Sequence, residues 1–126
     1  MLKRGIMENA NIALTVVNHV KTADIWIIPD TEKNRKTTVW GNATISKLDG
    51  DTSKKVCIPG SVDTHELYLI RMIDKDQMFY SVDGVWLKNN QSIGIRENCE
   101  SMSAFIDVFD EEGTKISEYE MFVARL

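Results

Sequence analysis

The residues able to do acid–base chemistry are few, and the two histidines head them. His19 has Asp24 five residues on, and His65 lies between Asp63 and Glu66. A carboxylate beside an imidazole can orient it as a general base near neutral pH. Ser61-Val62-Asp63-Thr64-His65 even places serine, aspartate and histidine in one stretch. A nucleophilic triad is assembled by three-dimensional geometry, however, and crowding in one loop does not supply it. No Gly-x-Ser-x-Gly elbow, phosphate-cradling glycine loop or dinucleotide fingerprint occurs. A hydrolase centred on His65 and Asp63 is the weakest of three readings. The chain is expected not to be an enzyme, and no catalytic residue is assigned.

Metal chemistry fares little better. Zinc or iron needs several spaced nitrogen, sulfur or carboxylate ligands, and two histidines with two isolated cysteines do not provide them. Calcium has a better case in Asp49-Gly50-Asp51, Asp74-Lys75-Asp76 and Asp110-Glu111-Glu112, three acidic turns whose oxygens could pool at one end of a fold. Aspartate and glycine also make turns for their own sake, and none of the three matches the twelve-residue calcium loop. The expectation is no metal and no cofactor. Cys57, inside Val56-Cys57-Ile58, reads as a core thiol, and Cys99 sits among carboxylates that disfavour a thiolate.

Aromatic residues give the better binding reading. Trp40 stands beside Gly41 and Asn42, after the basic stretch Lys33-Asn34-Arg35-Lys36, and Trp86 follows Asp83-Gly84. An exposed indole can stack on a sugar or anchor a protein partner. Trp40, Asn42, Arg35 and Trp86 are therefore the candidate ligand-binding residues. For Trp40 the competing reading is a ring folded back over the sheet end. Trp26, between isoleucines, reads as core.

The elements that must position these residues are extended. Ile12-Ala13-Leu14-Thr15-Val16, Leu67 to Met72 and Glu118 to Val123 alternate with a period of two, and no stretch holds a helical period for long. Asp24-Ile25-Trp26-Ile27-Ile28 is apolar on both faces, hence central, and Pro29 ends it. Further strands are expected at 37–41, 43–46, 55–58, 78–82, 85–87, 92–96 and 104–109, with a polar loop over 31–36. Asp83-Gly84 reads as a tight hairpin turn, because glycine supplies the positive φ that such turns need. A change of phase between Ile116 and Tyr119 signals a β-bulge. Only Asn98 to Ser103 could form a helical turn. The fold class predicted is all-β, an antiparallel sandwich of about nine strands, immunoglobulin-like or related. Residues 1–9 read as a flexible N-terminal segment, with Met7 an alternative start, and 10–126 as a single domain.

Composition narrows the partners. The chain has 126 residues, 43% hydrophobic and 27% charged, with 15 basic against 19 acidic residues and a net charge of −4. That is enough chain for one real core, and its acidity argues against binding a phosphate backbone. No apolar run is long enough to span a bilayer as a helix. The basic start lacks the apolar run and cleavage site of a signal peptide, so a cytoplasmic location and no membrane partner are expected.

One ordered set of features spans Leu14 to Arg96: Val16-Val17-Asn18, then Trp26-Ile27-Ile28-Pro29, Trp40-Gly41, Val56-Cys57-Ile58-Pro59-Gly60, Leu67 to Asp76, and Tyr80 to Leu87. It resembles a loose group of small bacterial and fungal β-sandwich modules with an asparagine in the first strand, an aromatic-proline second strand and a Trp-Gly loop. The resemblance implies a fold and brings no shared catalytic residues. The primary functional expectation is a non-catalytic interaction or structural module, a bacterial accessory protein meeting a protein partner or itself. A carbohydrate- or small-ligand-binding module is the alternative.

Overall fold

The computed structural model describes residues 10–98 and 103–126. Alternation builds its strands. In β1 (Asn11–Asn18) Ile12, Leu14, Val16 and Asn18 are buried while Ala13, Thr15 and Val17 face out. The others are β2 (Ala23–Pro29), β3 (Ile45–Leu48), β4 (Thr52–Pro59), β5 (Glu66–Asp74), β6 (Met78–Leu87), β7 (Gln91–Asn98), β8 (Ser103–Phe109) and β9 (Lys115–Arg125). Inward side chains from all nine form one core, including Ile25, Ile45, Ile58, Ile70, Val85, Ile93, Ile106 and Met121.

The strands lie in the order β3-β2-β5-β6-β9-β8-β7-β1-β4, a single sheet curled nearly into a barrel. Every neighbouring pair is antiparallel except β1 and β7, which run parallel from Leu14↔Gln91 to Asn18↔Ile95. The expectation of an all-β chain with about nine strands holds, whereas two antiparallel layers give way to one mixed sheet. The parallel pair has a local cause. In the turn before β7, Asn89 Oδ1 accepts from the Ala13 N–H at 2.7 Å and the Asn90 N–H donates to the Ala13 carbonyl at 2.8 Å. That turn is thereby pinned against β1, and β7 leaves it in β1's direction.

The edge strands β3 and β4 meet through Asp49-Gly50-Asp51. A Cβ on Gly50 would lie 2.4 Å from the Val20 carbonyl oxygen, so this turn packs backbone to backbone on the β1–β2 turn. Two buried polar side chains draw the seam together. Asn18 Nδ2 donates to the Leu48 and Lys21 carbonyls at 2.9 and 3.0 Å, and its Oδ1 accepts from the Val20 N–H at 2.8 Å. At the other end the Tyr68 hydroxyl donates to the Pro59 carbonyl at 2.6 Å, and burial pushes that phenol up to about 12, with Glu66 adding to the effect.

Several sequence expectations are corrected. Asp83-Gly84 is no hairpin turn: β6 runs through it, with a register shift between Tyr68 and Ile70 on β5 and Gly84 at φ 70°. The reason is ionic, for Arg71 bonds the Asp83 carboxylate at 2.7 Å and the Asp30 carboxylate lies close to Gly84. Residues 32–36 form a short helix, α1 (Glu32–Lys36), because Thr31 Oγ1 caps it by accepting from the Asn34 N–H. No strand forms over 37–41. Cys57 points outward on β4 as an exposed thiol, in the same phase as Lys55. The predicted bulge is present, since Ser117 pairs with Val108 and Lys115 with Phe109, leaving Ile116 over. The N-terminal segment 1–9 and the interior of the helical-turn alternative, 99–102, lie outside the described residues. Among those described, no helix is long and apolar enough to cross a membrane.

Candidate functional site

Three of the four residues singled out from the sequence share one segment, and it is occupied with the fold. Residues 30–44 cross the outer face of β2, β5 and β6 as a strap. At its start the Asp30 N–H donates to the Leu67 carbonyl, and at its end Thr44 Oγ1 accepts from the Ile27 N–H. Arg35 forks onto Asp30, Nε to Oδ1 at 2.5 Å and Nη2 to Oδ2 at 2.7 Å, and stands 3.9 Å from Asp83. Trp40 lies parallel to the Phe79 ring at 5.7 Å and tilted against Trp26 at 5.6 Å, and its indole N–H is buried without a partner. One stacking face of Trp40 is thus already taken. Asn42 is exposed beyond it. Trp26 is not core: it faces outward, half-buried beneath the strap, and donates to the Gly41 carbonyl at 3.1 Å. The strap explains why β2 is apolar on both faces and why the outward Leu69 is fully buried.

Charge fastens this strap and the far wall alike. The Arg35 hydrogen bond holds the Asp30 carboxyl below its ordinary value, against the opposing effect of burial. At Asp107 burial acts upward, yet the Arg96 and Lys115 hydrogen bonds still hold it low. A carboxyl that is lower when folded than unfolded contributes fully above the unfolded value, about 4, and loses that contribution as pH falls through the folded one. Stability should therefore drop below about pH 4. Arg35→Met should flatten that acid limb in a pH series of urea midpoints, and an unchanged limb would show that the Arg35–Asp30 fork does not set it.

The candidate catalytic groups do not assemble. His19 Nδ1 is 3.4 Å from Asp51, while Asp24 accepts from the Lys47 N–H and the Ser46 hydroxyl. His65 makes no ion pair with Asp63 or Glu66; instead Glu66 accepts from the Ser61 N–H, and the Ser61 hydroxyl accepts from the Asp63 N–H. Three aspartates of the acidic turns are spent on backbone N–H groups, a phenol and a cation. Asp74 accepts from the Asp76 and Met78 N–H groups and the Tyr80 hydroxyl, Asp76 pairs with Lys21, and Asp110 accepts from the Glu112 and Thr114 N–H groups. Among the described residues no group of three or more His, Cys, Asp or Glu could hold a metal ion.

Trp86 is different, and its setting was missed. It is 50% exposed on the outer face of β6, some seven residues from Phe79 and hence about 20 Å from the Trp40 stack. Beside it the barrel wall splits. β9 pairs with β6 only from Phe122 to Arg125, and with β8 from Lys115 to Met121. Over Lys115–Met121 no ladder pair joins β9 to β6, and the gap is crossed by the Tyr119 hydroxyl accepting from the Trp86 N–H at 3.2 Å. A cleft of about 400 Å³ opens at the wide end of the split, lined by His65, Lys88, Gln91, Glu111, Glu112 and Ile116 among others. Ile116 is 48% exposed. The phase change at Ile116 is the sequence trace of the β9 bulge against β8, at the mouth of the cleft.

A smaller hollow of about 280 Å³ at the other barrel end is lined by Met78, Tyr80 and Val123 with Lys21, Glu97 and Arg125. Its inner polar groups, Tyr80 and Asp74, are bonded to each other. In comparison with known proteins, no family model, no curated protein and no solved structure matches the chain.

Proposed function

We propose that this chain is a non-catalytic β-barrel module that holds a protein partner at the split between β6 and β9. The observation that carries the reading is the unpaired half of β9 beside two large exposed apolar side chains, Trp86 and Ile116. An uncovered strand edge next to an exposed indole is a standing invitation to association, which soluble proteins otherwise cover. The dispersed histidines support the non-catalytic part.

A photo-crosslinking phenylalanine at position 86 should yield discrete protein adducts in the native cell, and the same group at Lys33 on α1 should not. Absence of adducts at 86 counts against the reading. A glycan-array signal lost on Trp40→Ala would instead favour the carbohydrate alternative, and ester turnover lost on His65→Ala would favour a hydrolase.

A further inference from the structure

We infer that the partner is engaged as an extended, basic segment that adds a strand along the free edge of β9, an inference that rests on the interaction reading above. Three independent features converge there. The first is backbone: over Lys115–Met121 one edge of β9 is in the β8 ladder and the other faces the split without ladder partners. Adding a strand satisfies such donors and acceptors, and side-chain pockets then set which sequence fits.

The second is apolar surface flanking that edge. Trp86 stands on the outer face across the split and Ile116 at its mouth, both about half exposed. Alternate residues of an added strand would point toward Trp86, and a residue at its end would enter the 400 Å³ cleft beside Ile116. The Tyr119–Trp86 hydrogen bond bridges the split by a side chain and not by a ladder.

The third is charge, which decides the occupant. From residue 110 to 120 the chain carries Asp110, Glu111, Glu112, Glu118 and Glu120 against Lys115 alone. Lys115 and Arg96 are committed to Asp107 and Glu118, whereas Glu111, Glu112 and Glu120 make no ion pair among the described residues. From the facing elements Lys88 and His65 reach the cleft, too few to reverse its sign. A second copy docking β9 on β9 would set these carboxylates against their own counterparts. A segment bearing lysine or arginine at alternate positions meets them with complementary charge.

The probe is a peptide of roughly ten residues alternating valine and lysine, a length suited to one strand, followed by fluorescence anisotropy at low salt. It should bind, and Glu111→Lys/Glu112→Lys, both on an exposed turn, should weaken it by about tenfold or more. Raising salt should weaken it as well. A version N-methylated at alternate residues keeps the charges but loses strand donors, and it should fail to bind. Equal binding of that version overturns strand addition. Equal binding of a valine–glutamate peptide overturns the charge argument, and a concentration-dependent dimer that blocks the probe makes a second copy the occupant. No binding of the lysine peptide, with crosslinks still forming at position 86, sinks this inference and leaves the interaction reading standing. Loss of both sinks the two together.

Discussion

Asn18→Ala should lower the unfolding free energy by about 3 kcal/mol, measured by urea denaturation. Asn18 is fully buried where β1 ends, and its amide serves three backbone groups, two in the β1–β2 turn and one at the end of β3. Each such bond has a modest net worth, about 1 kcal/mol. Truncation also strands the Leu48 carbonyl and the Val20 N–H away from water, and leaving buried groups unpaired is the costlier part. The Leu48 bond reaches thirty residues along the chain, from β1 to the opposite edge of the sheet, so its loss loosens the barrel seam and not merely one turn. Asn18→Asp separates the causes. It keeps the acceptor for Val20 but removes both donors and sets a charge against two carbonyl oxygens. It should be worse than alanine near neutral pH, and its deficit should shrink as pH falls and the protonated acid regains one donor. An alanine variant within about 1 kcal/mol of the native chain would mean that the seam is closed by apolar packing alone.

How much of this was legible can be judged from the same strand. Ile12, Leu14 and Val16 announce a buried face, and Asn18 continues their phase. A polar residue in register with a core stripe was the available sign of its role. The alternation that fixes β1, β5 and β8 is local, so these strands could be read from sequence within a residue or two. What is set by partners far along the chain could not. The Asp83-Gly84 pair has the chemistry of a turn and becomes a bulge only because Arg71 and Asp30 wait on either side. The two-faced hydrophobicity of β2 was visible, but the same pattern serves a second sheet or a strap, and nothing local distinguishes them. Trp86 was legible as a candidate, whereas the split beside it depends on β9 exchanging β8 for β6 between Met121 and Phe122. Period-two alternation runs straight through that exchange. Arg35 and Trp40 had the right types for a ligand site and were claimed by intramolecular partners first.

The second large effect is expected at Arg71, which joins the bulge to the strap. The residue is 7% exposed, and its guanidinium donates to the Ile70 and Val82 carbonyls at 3.1 Å and bonds Asp83 at 2.7 Å. Arg71→Met preserves much of the side-chain volume, so the loss should report charge and hydrogen bonds more than a cavity. Breaking a buried pair from one side costs about 3–5 kcal/mol. Asp83 is 41% exposed and can be rehydrated, which places the expectation at the lower end, about 3 kcal/mol. Arg71→Lys should recover only part of it, since an ammonium cannot fork between two carbonyls and a carboxylate. A double-mutant cycle with Asp83→Asn should show coupling of about 1 kcal/mol or more. The consequence should also travel along β6. Asp83 and Gly84 set the register shift that aims the following residues, so Arg71→Met should alter Trp86 fluorescence and weaken the lysine peptide without touching it. If stability falls while Trp86 and peptide affinity stay unchanged, the bulge is fixed by Gly84 itself, and Arg71 only ties β5 to β6.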